Sequence, residues 1–308
     1  MIKARERLIV WYKKYGRHEL PWRKTKDIYH VFLSEVMLQQ TQVSRVQEHY
    51  YPHFLKKYPK IQSLANATLD EVLSDWSGLG YYSRARNLHK SAQLCALEGL
   101  PTSMVALQKL PGVGRYTASA VCSFALNQKV AVIDTNISRV LKRYYALLDE
   151  KLVLKKAEKF LNKTHPKEHN LALMDLGSLI CTPKNPICKE CPLNLTCKGK
   201  NEPELFTCKK KVEYESLELF LGVCVKNNKV ALVKSQTNLY KGLLVLPQIE
   251  PDEENFIASF KHSYTKYRIT VYLYESKRSD EDCIWLGAED MDEAPISSMT
   301  KKAFAYIH

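Results

Sequence analysis

Four cysteines, Cys181, Cys188, Cys191 and Cys197, fall in one short stretch with six, two and five residues between them. This spacing constrains the chain more than any other feature. Thiolates placed this way can converge from a single compact loop, which suits an iron-sulfur cube. Structural zinc sites usually pair two close Cys-x2-4-Cys elements across a longer insert, and only Cys188 and Cys191 form such a pair. Zinc, or cysteines that only pack in a core, remain the alternatives. Pro183, Pro186 and Pro192 interrupt helix within the stretch. The loop is therefore suited to wrapping something, and poorly placed to fold on backbone hydrogen bonds alone.

At 308 residues the chain is long enough for two domains, each with its own core. No apolar run reaches the length of a membrane span. The start, Met1 to Tyr15, is basic and amphipathic, and no small-residue cleavage site follows it, so no secretory signal is expected. The nine cysteines then read as reduced thiols or ligands in a cytoplasmic compartment. Outside the loop, Cys95, Cys122, Cys208, Cys224 and Cys283 are expected to be packing residues. A net charge of +13 calls for a polyanionic partner, nucleic acid before others. The distribution agrees: Lys184, Lys189, Lys198, Lys200 and Lys209 to Lys211 surround or follow the cysteine loop, whereas Asp280 to Asp292 is acidic.

From Asp27 to about Cys197 apolar residues recur three and four apart, as in Ile28, Val31, Phe32 and Val36, and in Leu69, Val72, Leu73 and Trp76. This predicts a mostly helical first part. Residues 198 to 215 are polar, rich in Lys and Glu, and read as a linker. Leu217 to Val225 and Val230 to Lys234 are β-prone runs around Asn227-Asn228, and Ile269 to Tyr274 and Cys283 to Leu286 add strands. A smaller α/β domain is expected there.

Three features carry chemistry. Leu110-Pro111-Gly112-Val113-Gly114-Arg115-Tyr116 precedes a helical run. Its glycines allow a tight hairpin whose amides, with the helix N-terminus, can hold one phosphate; an ordinary helical hairpin is the bland alternative. Glu35, on a helix, has Val31, Phe32, Leu38 and Gln39 as neighbours, so its carboxyl leans on an apolar stripe that should raise its pKa and fit it to donate a proton. Asp134 opens Thr135-Asn136-Ile137 as a helix N-cap, where amides and dipole are expected to favour the ionised form. One acid and one anion are what cleavage of a glycosidic bond through a cationic sugar requires.

Leu-Pro-Gly-Val-Gly, then Val-Ile-Asp, then the four-cysteine loop resembles the helix-hairpin-helix DNA glycosylase superfamily. Leu20-Pro21-Trp22-Arg23, Ser34-Glu35-Val36-Met37-Leu38-Gln39-Gln40-Thr41-Gln42 and Gly78-Leu79-Gly80-Tyr81-Tyr82-Ser83-Arg84 resemble its adenine-specific, MutY-type branch. The resemblance implies a multidomain chain. A mostly α glycosylase domain over 1–200 would comprise a six-helix module at about 28–130 and an iron-sulfur module of 1–27 plus 131–200. A linker at 201–215 and an α/β Nudix-like, 8-oxoguanine-recognising domain at 216–308 would follow.

The same resemblance implies base excision repair on double-stranded DNA, acting as a monomer at the nucleoid. Adenine opposite 8-oxoguanine or guanine would be flipped out, with Glu35 protonating the base and Asp134 stabilising the oxocarbenium-like sugar. Tyr116 and Asn136 match groups around the reacting sugar, and Trp22, Arg23 and Asp175 match pocket positions. Gln40, Thr41, Leu79 and Tyr81 match residues that probe the stack and the opposite base. Gly112 and Gly114 match the DNA-phosphate hairpin, and Cys181, Cys188, Cys191 and Cys197 match the ligands of one 4Fe-4S cluster.

Where the endonuclease III branch has a nucleophilic lysine, this chain has Tyr116. A phenol cannot form an imine, so the enzyme is expected to leave an abasic site uncut. In the second domain, Gly242-Leu243-Leu244-Val245-Leu246-Pro247 and His262-Ser263-Tyr264-Thr265-Lys266 resemble the Nudix-like reading domain. The metal-binding Glu-rich helix of Nudix hydrolases is missing after Pro247. Tyr264-Thr265-Lys266 stands where Phe-Ser-His is common, with Tyr264 and Thr265 expected to meet the 8-oxoguanine. The competing readings are an endonuclease III-like glycosylase/lyase for oxidised pyrimidines and a non-catalytic iron-sulfur DNA-binding protein.

Overall fold

The computed structural model describes residues 2–206, 213–237, 239–277, 283–291 and 294–307. Cys208, the basic run Lys209 to Lys211, and Asp280 and Asp292 lie outside the described residues. The chain divides into two compact units, Met1–Ser63 with Lys90–Lys209, and Leu64–His89 with Lys210–His308.

The first unit is helical. Its central helix, Ile28–Met37, begins where the Asp27 carboxylate accepts the amides of Tyr29 at 2.8 Å and His30 at 3.0 Å. Tyr29 and the whole run Val31 to Met37 are buried. A helix covered on nearly every side belongs in a core, so a carboxyl on it, Glu35, is largely withdrawn from bulk water. Helix Arg115–Phe124 packs against it. That helix starts at Gly114, directly after a turn in which Gly112 adopts φ +72°, a conformation that favours glycine.

Helix Thr135–Tyr145 is capped by Asp134 and ends at Ala146 in the left-handed region. It packs on helix Pro166–Leu179. The approach is close at one point, since a Cβ on Gly177 would lie 2.7 Å from the Asn136 Cβ. The cysteine loop leaves the end of helix Pro166–Leu179 and contains only the short turns Cys188–Glu190 and Asn194–Thr196, as its prolines lead one to expect.

The second unit combines a helical segment with two small sheets. Helix Leu69–Asp75 is started by a capping box in which Thr68 and Glu71 satisfy each other's backbone amides. Strands β1 (Glu215–Val223), β5 (Phe256–Tyr264) and β6 (Tyr267–Glu275) form one sheet in the order β1-β6-β5, with β1 parallel and β5 antiparallel to β6. Strands β2 (Val225–Lys226), β3 (Lys229–Lys234) and β4 (Leu244–Val245) form the other, and β7 (Ile284–Leu286) joins it on β3. The single run expected over Leu217 to Val225 is broken at Cys224, because β1 and β2 serve different sheets. Asn227 and Asn228 both take positive φ, 51° and 59°, as the tight β2–β3 turn requires. Strand β5 was not anticipated from the sequence. Among the described residues, no helix is long and apolar enough to cross a membrane.

Cys95, Cys122 and Cys224 are buried, and Cys283 is half-buried. A less expected core residue is His169. Neither ring nitrogen has a hydrogen-bond partner, and the ring meets Phe160 edge-on at 5.2 Å. Burial, helped by the nearby Arg5 charge, pushes its pKa down to about 3. The unfolded chain takes up a proton near the ordinary value of 6.5 that the folded chain refuses until about pH 3. Stability therefore falls across that window as acid is added, by up to about 1.4 kcal/mol per pH unit. Urea unfolding at pH 7 and pH 5 should show a smaller loss for His169→Phe than for the parent. Equal losses would remove His169 as the source.

Candidate active site

A cavity of about 250 Å³ opens in the helical unit, and Trp22, Arg23, Glu35, Thr41, Tyr116, Asp134 and Asn136 all line it. The structure thus gathers residues separated by more than a hundred positions around one space. Glu35 is 4% exposed, and its Oε2 accepts the Tyr116 hydroxyl at 2.7 Å. Burial drives its pKa up to about 7; the Tyr116 hydrogen bond opposes this and the Asp134 charge adds to it. The apolar stripe read from the sequence accounts for the largest of these effects. Tyr116 is half-buried, and desolvation at its phenol holds its pKa well above the ordinary range, so it stays a hydrogen-bond donor.

Asp134 caps its helix as expected, with Oδ1 accepting the Ile137 amide at 2.6 Å and Oδ2 accepting the Asn136 side chain at 3.0 Å. The inference that capping would favour its ionised form needs correction. Desolvation outweighs the donors, and its pKa lies above the ordinary aspartate value. Caps favour the anion only relative to the same buried site without them.

Asp175 also departs from its expected place. It is fully buried and does not line the cavity; it holds two arginines that do. Arg23 grips it bidentately at 2.6 and 2.8 Å, and Arg17 donates from its backbone amide at 3.0 Å and from Nε at 2.7 Å. These donors, Arg23 first, overcome the burial that would raise its pKa and hold it below the usual range. Trp22, 6% exposed, is fixed by an edge-on contact with Tyr51 at 5.3 Å.

Gln40 is exposed just past the central helix with φ +57°. Leu79 is buried, and Tyr81, half-buried, has φ +50°; both belong to the second unit. Tyr264 ends β5 and Thr265, at φ +52°, makes the turn into β6.

The four loop cysteines line a common cavity with Arg143, Ile180, Asn194 and Pro203. Among the described residues, no three His, Cys, Asp or Glu side chains are placed to hold a single metal ion. A set of four thiols opening on one space, with neither carboxylate nor imidazole lining it, has the donor chemistry of an iron-sulfur site. Two buried arginines fasten this loop. Arg143 donates to the carbonyls of Thr182 at 2.7 Å, Pro183 at 3.0 Å and Pro203 at 2.9 Å. Arg139 donates to the Cys181 carbonyl at 2.8 Å, the Gly177 carbonyl at 2.6 Å and the Asn136 side chain at 2.8 Å.

Comparison with known proteins bears on this arrangement. Residues 33–164 match the model of the HhH-GPD superfamily base excision DNA repair proteins. Adenine DNA glycosylase of Buchnera aphidicola subsp. Baizongia pistaciae is 40% identical over 294 residues, covering 86% of this chain and 83% of that protein. The chain belongs to the adenine DNA glycosylase family. The mouse adenine DNA glycosylase is 41% identical over 214 residues, covering 63% of this chain and 41% of that protein. A thermostable thymine-DNA glycosylase structure is 28% identical with a TM-score of 0.60, over 65% of this chain and 98% of that one.

For this family member, several cavity and anchoring residues escaped the sequence reading. Arg17, Lys167, Met174 and Ser178 line the cavity, and Arg139 links Asn136 to the cysteine loop. Spacing along helix Pro166–Leu179 puts Lys167, Met174 and Ser178 on one face, which was the available signal; nothing local marks Arg17 or Arg139.

Glu35 should titrate in both activity and stability. Protonated acid is lost above about pH 7, so single-turnover adenine release should decline through that pH and vanish in Glu35→Gln. Its folded pKa is raised, so its stabilising share is present below the ordinary value of 4.5 and lost as pH rises to about 7. Glu35→Gln should therefore be more stable than the parent by about 3 kcal/mol at pH 8, with the gain shrinking toward pH 5. A gain independent of pH in chemical unfolding would contradict this account.

Proposed function

We propose that the cavity receives an adenine flipped from duplex DNA opposite 8-oxoguanine or guanine, and hydrolyses its N-glycosidic bond without cutting the strand. The hydrogen bond between Tyr116 and Glu35, across a cavity also lined by Asp134, carries the reading. Glu35, with a pKa of about 7, delivers its proton to the departing base. Asp134 faces the sugar cation that develops, and Asn136, bonded to the same carboxylate, fixes its direction. Water adds to the sugar carbon, and the proton it releases restores Glu35. Arg23, locked by Asp175, and Trp22, locked by Tyr51, form walls that keep their shape when the base enters. The setting is the nucleoid of the cytoplasm, with the chain acting as a monomer.

Tyr116 offers no amine to the sugar. Single-turnover excision from A:8-oxoguanine duplex, run with borohydride, should release adenine and trap little protein-DNA adduct. Efficient trapping, with Lys167 the amine that lines the cavity, would overturn the monofunctional reading.

In this reading Cys181, Cys188, Cys191 and Cys197 hold one 4Fe-4S cluster. When bound, the cluster supplies a rigid node able to exchange an electron. Arg143 and Arg139 keep the ends of its loop in register with helix Thr135–Tyr145. Anaerobically prepared protein should contain about four iron and four sulfide per chain. Cys191→Ala should lose most of the iron and melt earlier; one bound zinc and no sulfide would refute the cluster.

Residues 216–308 act as the Nudix-like domain that reads 8-oxoguanine, through the Tyr264-Thr265 turn. Lys266, where histidine is common, bonds back to Glu215 at 2.5 Å. The exposed Thr265 hydroxyl is then the group on this turn best placed to meet a base.

A further inference from the structure

We infer that Arg86 is the positioning residue that sets the 8-oxoguanine-reading turn, fixing Tyr264 through Tyr240 and thereby presenting Thr265. This rests on the assignment of that turn to base reading made above. Arg86 lies on helix Ser83–Leu94, in the part of the chain that folds with the C-terminal strands as one unit. Its Nη1 donates to the Lys241 carbonyl at 2.5 Å. The acceptor sits in a turn closed on itself, since the Leu243 amide bonds to the Tyr240 carbonyl at 2.9 Å and the Gly242 amide to the Ser235 carbonyl at 2.8 Å. Gly242 takes φ +80° there, which leaves Lys241 little freedom to swing away. Tyr240, one residue before the acceptor, is 3% exposed, and its ring centre is 4.7 Å from that of Tyr264.

Four further observations favour this route. Burial holds the Arg86 guanidinium below its ordinary pKa while Tyr264 counteracts the shift, so the two groups sense each other directly. Tyr264 shows the reciprocal effect, burial raising its phenol and Arg86 opposing. Tyr264 also senses Tyr81 and Tyr82 of the Gly80-Tyr81-Tyr82 turn, two residues of the sequence motif that ends at Arg84. Among the described residues, Thr265 makes no side-chain hydrogen bond, so only the hairpin that carries it fixes its direction. A second link between the same two segments, the ion pair of Lys234 with Asp70 at 2.8 Å, is half exposed at both ends and reaches neither Tyr240 nor Tyr264. It serves as the internal control, because exposed pairs of this kind hold little.

The test compares single-turnover excision and affinity on A:8-oxoguanine and A:G duplexes for Arg86→Ala, Arg86→Lys, Thr265→Ala and Asp70→Asn, with a melting curve for each. Loss of a charged donor to a fixed carbonyl should lower the A:8-oxoguanine rate or affinity by about tenfold or more. The A:G values should stay within about twofold, since the adenine cavity is untouched. Arg86→Lys, which retains the charge beside Tyr264, should recover part of the preference, and Asp70→Asn should keep all of it. Arg86→Ala combined with Thr265→Ala should be no worse than the more harmful single change. Equal losses on both duplexes, additive losses in the double variant, or the same effect from Asp70→Asn would overturn the role of Arg86. A Thr265→Ala protein with unchanged preference would instead sink the reading-turn assignment, whatever Arg86→Ala does.

Discussion

The contact on which the helical unit's chemistry depends is the approach of helix Pro166–Leu179 to the start of helix Thr135–Tyr145, where Gly177 meets Asn136. Any side chain at Gly177 would collide with the Asn136 Cβ and backbone. Because nothing intervenes, Arg139 can reach the Gly177 carbonyl, the Asn136 amide oxygen and the Cys181 carbonyl at once. Asn136 in turn donates to Asp134. A carboxylate at the cavity and the first cysteine of the loop are thus fastened to one guanidinium, itself only 9% exposed. Buried arginine of this kind is tolerated only when its donors are used, so the loop's folding and the direction of Asp134 are set together.

Both cavity carboxyls are raised by burial, and their donors distinguish them. Asp134 receives the Ile137 amide, the Asn136 side chain and the Asn136 amide, with the Arg139 charge beyond. Glu35 receives one hydroxyl, with the Asp134 charge working against its ionisation. Desolvation disfavours the anion at both groups, whereas the proposed reaction would use one acid and one anion. The donors at Asp134 oppose its desolvation, and a cap supplies them because the helix start has spare amides to offer.

Much of this was legible where the cause is local. Helix Ile28–Met37, the buried face of Glu35, the cap at Asp134, and the Asn227-Asn228 turn follow from residues within a few positions of each other. The four cysteines were legible as one site because they are close in sequence. What escaped was long-range. Arg139 and Arg143 find the loop some forty residues away, and Asp175 serves Arg23 from more than 150 away. Leu64–His89 reads as an amphipathic stretch followed by the Gly78 to Arg84 motif, yet it clusters with the C-terminal strands, which no periodicity records. Strand β5 hid because its inward face, Ala258, Phe260, His262 and Tyr264, mixes small and polar residues with a single buried anchor at Phe260, while Phe256 and Ile257 are exposed. Hydrophobic alternation is therefore weak although burial alternates.

Tyr116 bears both on the protonation state of Glu35 and on the nucleophiles placed beside it. An ammonium in its place would sit a hydrogen bond away from Glu35 and stabilise the carboxylate, drawing its pKa down from about 7. The acid needed to protonate a leaving base and an amine poised to attack the sugar are therefore difficult to keep side by side. A phenol removes the conflict. Its own pKa is raised well above the ordinary phenol value by burial and by the neighbouring carboxyls, so it donates to Glu35 without supplying a charge. In the proposed reaction, the residue that withholds a nucleophile would be the same one that lets Glu35 stay protonated near neutrality, so the two properties would follow from one side chain.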